Sequence, residues 1–179
     1  MSDQIEPLLM KHYGISPWEI NVITSILDKR FKTEDEEIEN TYEDKFVSYL
    51  EIGFPYSFNE EFFKWFDFKE WDRLKGVFKE MKRRRGDGKA IKIELNFSGD
   101  PDINFILQSD QSQWFKMEVE KIDFVVELLP YHLDKDKIPN NVKSVIYNFD
   151  QESARWKIIT VFTEGDKFVN SENGWKLTT

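Results

Sequence analysis

No cysteine occurs anywhere in the chain, and the only histidines, His12 and His132, stand far apart. Without cysteine there is no disulfide, thiolate metal site, iron–sulfur cluster or cysteine nucleophile. Neither histidine has a partner at a metal-binding helix spacing. The glycine patterns that cradle phosphates or dinucleotides are missing, as are the HExxH motif and the nucleophile elbow. The 34 carboxylates are too many for any one pair to stand out as an acid–base couple. The chain therefore reads as non-enzymatic, with no catalytic residue, metal ligand or cofactor assigned. Long apolar runs are also absent, so nothing reads as membrane-spanning. Asp3 and Glu6 precede any apolar stretch, against the basic start and apolar centre of a secretory leader. The expected location is cytoplasmic.

Aromatic residues, by contrast, are plentiful and clustered. Nine of the eighteen residues from Phe54 to Trp71 are aromatic, out of 16 Phe, 6 Trp and 6 Tyr in the chain. Such side chains dominate both cores and interfaces. A short helix holding Phe62, Phe63, Trp65 and Phe66 points them in several directions, so it needs more than one neighbour. The favoured expectation is a wedge between the N-terminal helices and the C-terminal sheet that fuses the two halves of the chain; the alternative is that part of the segment stays exposed as a partner or ligand site.

Charge is distributed unevenly. The chain of 179 residues has a net charge of −9, which disfavours nucleic acid and anionic membranes for the molecule as a whole. Yet Arg73 to Lys92 holds nine basic residues, opposed only by Glu80 and Asp87. On a helical wheel these cations surround the helix and form no single face, unlike a groove-reading helix. Arg83, Arg84 and Arg85 suit a helix C-terminus. Arg85-Gly86-Asp87 spells an adhesion tripeptide but reads as a helix stop, with Gly86 as its left-handed cap. His132 reads as a helix-exit residue. Lys135 and Lys137 would compete with any cation at Asp134 and Asp136.

Elements follow from periodicity. Ile5, Leu8, Leu9, His12 and Tyr13 fall at helical spacing, closed by Gly14. Ser16-Pro17-Trp18-Glu19 is a capping box, and Ile20, Ile23, Leu27 and Phe31 mark the helix it starts. An acidic run, Glu34 to Glu39, precedes an apolar set at Phe46, Tyr49 and Leu50. Asn59 or Ser57 reads as the cap of the short aromatic helix and Asp67 as a further cap, and Trp71, Leu74, Phe78 and Met81 read as a helical seam. Past Gly86-Asp87-Gly88 the period becomes two: Ile91, Ile93, Leu95 and Phe97 form one strand, and Ile103, Phe105 and Leu107 its hairpin partner. Trp114 to Leu129 reads as one helix with Phe115, Val119, Ile122, Val126 and Leu129 inward. Val142–Phe149, Trp156–Phe162, Lys167–Val169 and Trp175–Leu177 read as a closing meander.

The expected fold is α+β: a helical N-terminal half (1–86), then an antiparallel sheet region (88–179) built as hairpin, long helix and β-meander, both packed as one cooperative unit. The expected function is a cytoplasmic protein-interaction module. Its binding residues are Lys82, Arg83, Arg84 and Arg85 of the basic segment, with Phe54, Tyr56, Phe58 and Trp65 of the aromatic one. One alternative is a small-ligand binder with an apolar pocket between helix 114–129 and the sheet. A less favoured one is nucleic-acid binding through residues 73–92.

Overall fold

The computed structural model describes residues 7–40 and 45–178. The chain opens on a strand, β1 (Pro7–Tyr13), followed by α1 (Pro17–Leu27), β2 (Lys32–Glu37) and β3 (Ser48–Phe54). The helices α2 (Glu60–Phe66) and α3 (Phe68–Arg85) lead into the hairpin β4 (Ile91–Phe97) and β5 (Asp102–Leu107). Next come α4 (Ser112–Lys121) and α5 (Val125–His132), then β6 (Val142–Asp150), β7 (Arg155–Thr163), β8 (Lys167–Ser171) and β9 (Gly174–Thr178). All nine strands form one sheet in the order β2-β1-β3-β4-β5-β6-β7-β8-β9.

This overturns the expectation of a helical first half and a purely antiparallel sheet. The sheet is mixed: β1/β2, β3/β4 and β5/β6 are parallel, and each pair is joined by a helical crossover. The physical reason lies in β1. Leu8 and Met10 are fully buried and His12 is 7% exposed, whereas Leu9 is 44% exposed. That is a period-two pattern, masked in the sequence because Leu8-Leu9 and His12-Tyr13 mimic helical spacing. Strand β2 has no apolar alternation at all. Glu34, Asp35, Glu36 and Glu37 occupy the sheet edge, where charge suits a strand with one unpaired side. In β3, Leu50, Ile52 and Phe54 turn inward with alternate register.

Several local readings agree with the structure. Ser16 and Glu19 form the reciprocal capping box of α1, with Pro17 in its first turn. Asn59 caps α2 and Asp67 caps α3 through their side chains. Gly86 ends α3 at φ 84. Strands β4 and β5 pair as the expected hairpin. The single helix expected over 114–129 is two, broken at residues 122–124. There Asp123 accepts hydrogen bonds from Trp71 Nε1 at 3.2 Å and Lys75 Nζ at 3.1 Å. α5 continues through Pro130 to His132.

One core runs along one face of the sheet and beneath all the helices. It joins Ile23 and Leu27 of α1, Phe62 and Phe66 of α2, Trp71 and Phe78 of α3, and Phe115 and Val119 of α4 to the inward residues of β1 and β3–β7. The aromatic segment is its centre. Phe54 stacks on Phe97 at 4.7 Å, Phe58 meets Phe105 at 4.9 Å, and Phe62 packs on both Phe54 and Phe97. Because β3 pairs with β4 along its whole length, the sheet is continuous across residues 86–88. The other sheet face is polar: Tyr49 donates to Glu94 and Asn96 to Glu51. Strands β3 and β5 run in opposite directions, their crossovers step the same way across the sheet, and their helices share a face. The two crossovers therefore have opposite hands, so one departs from the usual right-handed connection.

Candidate functional site

Among the cavities formed by the described residues, two are framed by buried charged side chains: a groove between α1 and α3, and a polar cleft where β5 and β6 end.

The groove exists because α1 and α3 run antiparallel and are tied at both ends. At one end Glu19, 2% exposed, accepts from Arg85 Nη1 at 2.7 Å and from Arg85 Nη2 at 2.8 Å. Arg85 also donates to Ser48 Oγ and to the carbonyls of Gly14 and Met81. These charge-assisted bonds hold the Glu19 carboxyl down at about 2, the Arg85 bond outweighing burial. At the other end Lys29 donates to Glu70 at 2.7 Å, and Arg30 Nε donates to the carbonyl of Trp65. Between them lies a cavity of about 300 Å³ lined by Val22, Ile26, Val77 and Met81, with Gly76 opening the wall. A Cβ at Gly76 would meet nothing within 4 Å. Trp18 stands at the rim, 60% exposed, with the Arg84 guanidinium 5.4 Å from its ring centre. Arg73 and Glu80 complete the rim.

The cleft has a volume of about 370 Å³ and lies at the carboxyl ends of the parallel strands β5 and β6. Its chemistry centres on Glu118 of α4, 2% exposed. Glu118 Oε2 accepts from the Gln108 amide and Oε1 from the Ser109 amide, both at 3.1 Å, and the Ser109 hydroxyl also donates to Oε1. These bonds satisfy backbone donors just past the end of β5. Burial nevertheless pushes the carboxyl up to about 8, against the pull of those amides and of Lys82. Lys82 of α3 is fully buried behind the loop, donating to the carbonyls of Gly88 and Asp110. Burial lowers its pKa. Gln151 Nε2 donates to Ser109 Oγ at 3.3 Å, and Asn148, whose register with Ile106 and Lys157 sets it on the sheet face away from the helices, has a buried Oδ1 without a hydrogen-bond partner among the described residues.

The binding residues expected from sequence are divided by this geometry. Phe54 is fully buried, Phe58 is 3% exposed, and Lys82 and Arg85 are locked into the interior contacts just described. Tyr56 is half-buried against Trp65 at 4.6 Å, and Trp65 is 37% exposed. Arg83 and Arg84 face solvent, Arg83 paired with Glu80. Trp65, Arg83 and Arg84 thus remain as surface residues, at opposite ends of the α1/α3 pair. The apolar pocket expected under 114–129 is filled: Phe115, Val119 and Ile122 are fully buried and packed into the core. Within 73–92, Arg73, Lys75, Lys79 and Arg83 are paired with carboxylates, so little free positive charge remains there for phosphates.

Trp18, Glu118 and Asn148 were not singled out from sequence. Glu118 had a readable signal, since it falls on the helical face of Phe115, Val119 and Ile122, where a carboxylate must be buried. Lys82 has the same signature beside Phe78. Trp18 was read only as part of a cap. Nothing local marks Asn148, whose setting depends on the pairing of β6 with β5.

Among the described residues no helix is long and apolar enough to cross a membrane, and no group of three or more His, Asp or Glu side chains could hold a metal ion. No known family, curated protein or solved structure matches the chain.

Proposed function

We propose that the protein is an interaction module whose docking face is the α1/α3 groove. The partner is a protein segment that carries an apolar anchor flanked by carboxylates. The observation behind this reading is Trp18, exposed at the mouth of an apolar groove and layered with Arg84. Tryptophan and arginine are the residue types that most often carry binding energy at interfaces, and they do so beside a pocket that an anchor can fill. The groove floor is apolar, and its rim carries Arg84 at the tryptophan end, with Arg73, paired to Glu70, and Glu80 along the side. Burying Trp18 and filling the groove would remove apolar surface from water, while Arg84 would favour a carboxylate beside the anchor.

The scaffold suits such a task. The ion pairs at both ends of the groove fix the helix spacing before any partner arrives, which lowers the ordering cost of binding. The test is selection of peptides from a random display library on the purified full chain. Recovered sequences should share an aromatic or aliphatic anchor next to Asp or Glu, and should bind Trp18→Ala and Arg84→Glu at least about tenfold more weakly. Selection that yields only peptides indifferent to both substitutions would remove this reading.

A further inference from the structure

The chain itself exposes a segment of the kind assigned above to the α1/α3 groove. We propose, resting on that docking reading, that the partner is a second copy of this chain: the exposed face of α5 in one copy lies in the α1/α3 groove of the other.

On α5, Leu128 is 43% exposed and Tyr131 65%, and Phe124, just before the helix, is 62% exposed. Phe124 already has helical backbone angles, so residues 124, 127, 128 and 131 follow helical spacing and share one face. Three of the four are large and apolar, and the fourth is Glu127. That i, i+3, i+4, i+7 set is the pattern by which an amphipathic helix fills an apolar groove. The opposite face of α5 is already committed. Val125 is buried, Val126, Leu129 and Leu133 pack against the core, and His132 Nδ1 lies 2.9 Å from the Tyr147 hydroxyl. The helix therefore has two apolar faces, of which the fold covers one. A contiguous apolar patch left in water marks a contact surface.

Charge selects the groove as the place where this face goes. Glu127 is exposed and has no ion pair among the described residues. The other charged groups beside the stripe are occupied: Asp123 accepts from Trp71 and Lys75, and Lys121 donates to the Ala154 carbonyl. At the groove the complementary group is Arg84. It reaches Glu19 only at 3.8 Å, because Arg85 holds that carboxylate, and its guanidinium lies over Trp18. The remaining rim arginine, Arg73, is paired with Glu70. Seating α5 in the groove sets its apolar side chains on Val22, Ile26 and Val77 and brings Glu127 to Arg84. The helices pack on one face of the sheet, so the groove mouth and the exposed face of α5 both turn away from it. Two copies with their helical layers facing can each give one α5 and receive one. Such a two-fold contact is self-complementary, groove to α5 and α5 to groove.

The experiment is sedimentation equilibrium of the full chain. It is run at ~150 mM salt, where the Debye length of about 8 Å damps repulsion between copies that each carry a net charge of −9. A reversible dimer should form in the range of about 1–100 μM. Trp18→Ala in the groove and Leu128→Asp on α5 should each weaken it at least about tenfold. Glu127→Arg should weaken it as well, by setting like charge against Arg84, and adding Arg84→Glu in the same chain should restore part of the loss. The decisive arm mixes Trp18→Ala with Leu128→Asp. Neither dimerises alone, but the mixture should, because one intact α5 then meets one intact groove. Unchanged circular dichroism spectra show that the variants are folded. A chain that stays monomeric up to about 500 μM, a mixture that fails to associate, or a dimer lost on Leu128→Asp but kept by Trp18→Ala would overturn the proposal. The last result would mean α5 packed against α5. A monomeric chain whose groove still takes display-selected peptides through Trp18 loses only the second copy as partner, whereas peptides indifferent to Trp18→Ala remove the groove itself.

Discussion

Replacing Glu118 by Gln should change the sign of its effect on stability with pH. The carboxyl is 2% exposed and its pKa is raised from 4.5 to about 8, chiefly by burial. Between those two values the folded protein holds a proton that the unfolded chain has released. Stability therefore falls as pH rises through that window. Each unit is worth about 1.4 kcal/mol, so the loss is on the order of 3–5 kcal/mol by pH ~8.5. Glutamine cannot ionise, and so it escapes this loss. It has a cost of its own, because its NH₂ cannot accept from both strand-end amides, leaving one without a partner. That costs about 1–3 kcal/mol at every pH. Urea unfolding of both proteins should thus show Glu118→Gln less stable at pH ~5 and more stable at pH ~8.5. Taking the difference between the two proteins cancels every titrating group that does not interact with Glu118, and of the groups that do, Lys82 is a cation in both states over this range. A difference that stays constant from pH 5 to 8.5 would refute the argument that burial governs this carboxyl.

Four further outcomes are expected from the same structure. Arg85→Ala, which strips a 2%-exposed Glu19 of both guanidinium bonds, should cost about 3–5 kcal/mol in urea unfolding, and Arg85→Lys should recover only part of it. The pKa of Glu19 is depressed from 4.5 to about 2, so its contribution is complete above pH ~4.5 and is lost as pH falls through ~2. The thermal midpoint of wild type should accordingly fall more steeply over that range than that of Arg85→Ala. Gly14 sits at φ +66 with its would-be Cβ 2.5 Å from the Val47 carbonyl oxygen, so Gly14→Ala should lower stability by at least about 2 kcal/mol, and a neutral result would show that the β1–β3 corner yields easily. A fragment beginning at Gly88 would uncover Ile91, Leu95 and Phe97 and leave β4 as an unpaired edge. It should aggregate or remain unfolded, and a native-like circular dichroism spectrum from it would show that the two halves fold separately.

How much was legible in the sequence depended on whether the controlling interaction was local. The capping box at Ser16 and Glu19, the caps at Asn59 and Asp67, and the stop at Gly86 are short-range hydrogen bonds and backbone angles, and they stand where their residues put them. The hairpin of β4 and β5 was equally visible, because its alternation is unbroken and its turn is tight. Strands β1 and β2 were hidden for opposite reasons. In β1 the exposed Leu9 sits beside buried Leu8, and buried His12 looks polar, so the period of two is disguised. In β2 an acidic edge takes its structure from backbone pairing to β1 and needs no apolar side chain. Without those strands the parallel pairs, and hence the crossovers, could not be seen. For the sites, the basic segment was visible as a charge cluster, but which cations face water was decided by long-range partners: Glu19 for Arg85 and the Gly88 and Asp110 carbonyls for Lys82. The Glu118 cleft needs β5, β6 and α4 brought together, and only its lone carboxylate on an apolar helix face was available in advance.

The proposed docking of a partner segment in the α1/α3 groove is tested most directly by hydrogen exchange of the full chain with and without a peptide recovered by display selection. Added protection is expected in α1 from Trp18 to Ile26 and in α3 from Arg73 to Arg84, lost when the same peptide is offered to Trp18→Ala. Protection confined to exposed Phe124 and to Leu128 and Tyr131 of α5, or to the β9 edge, would contradict it.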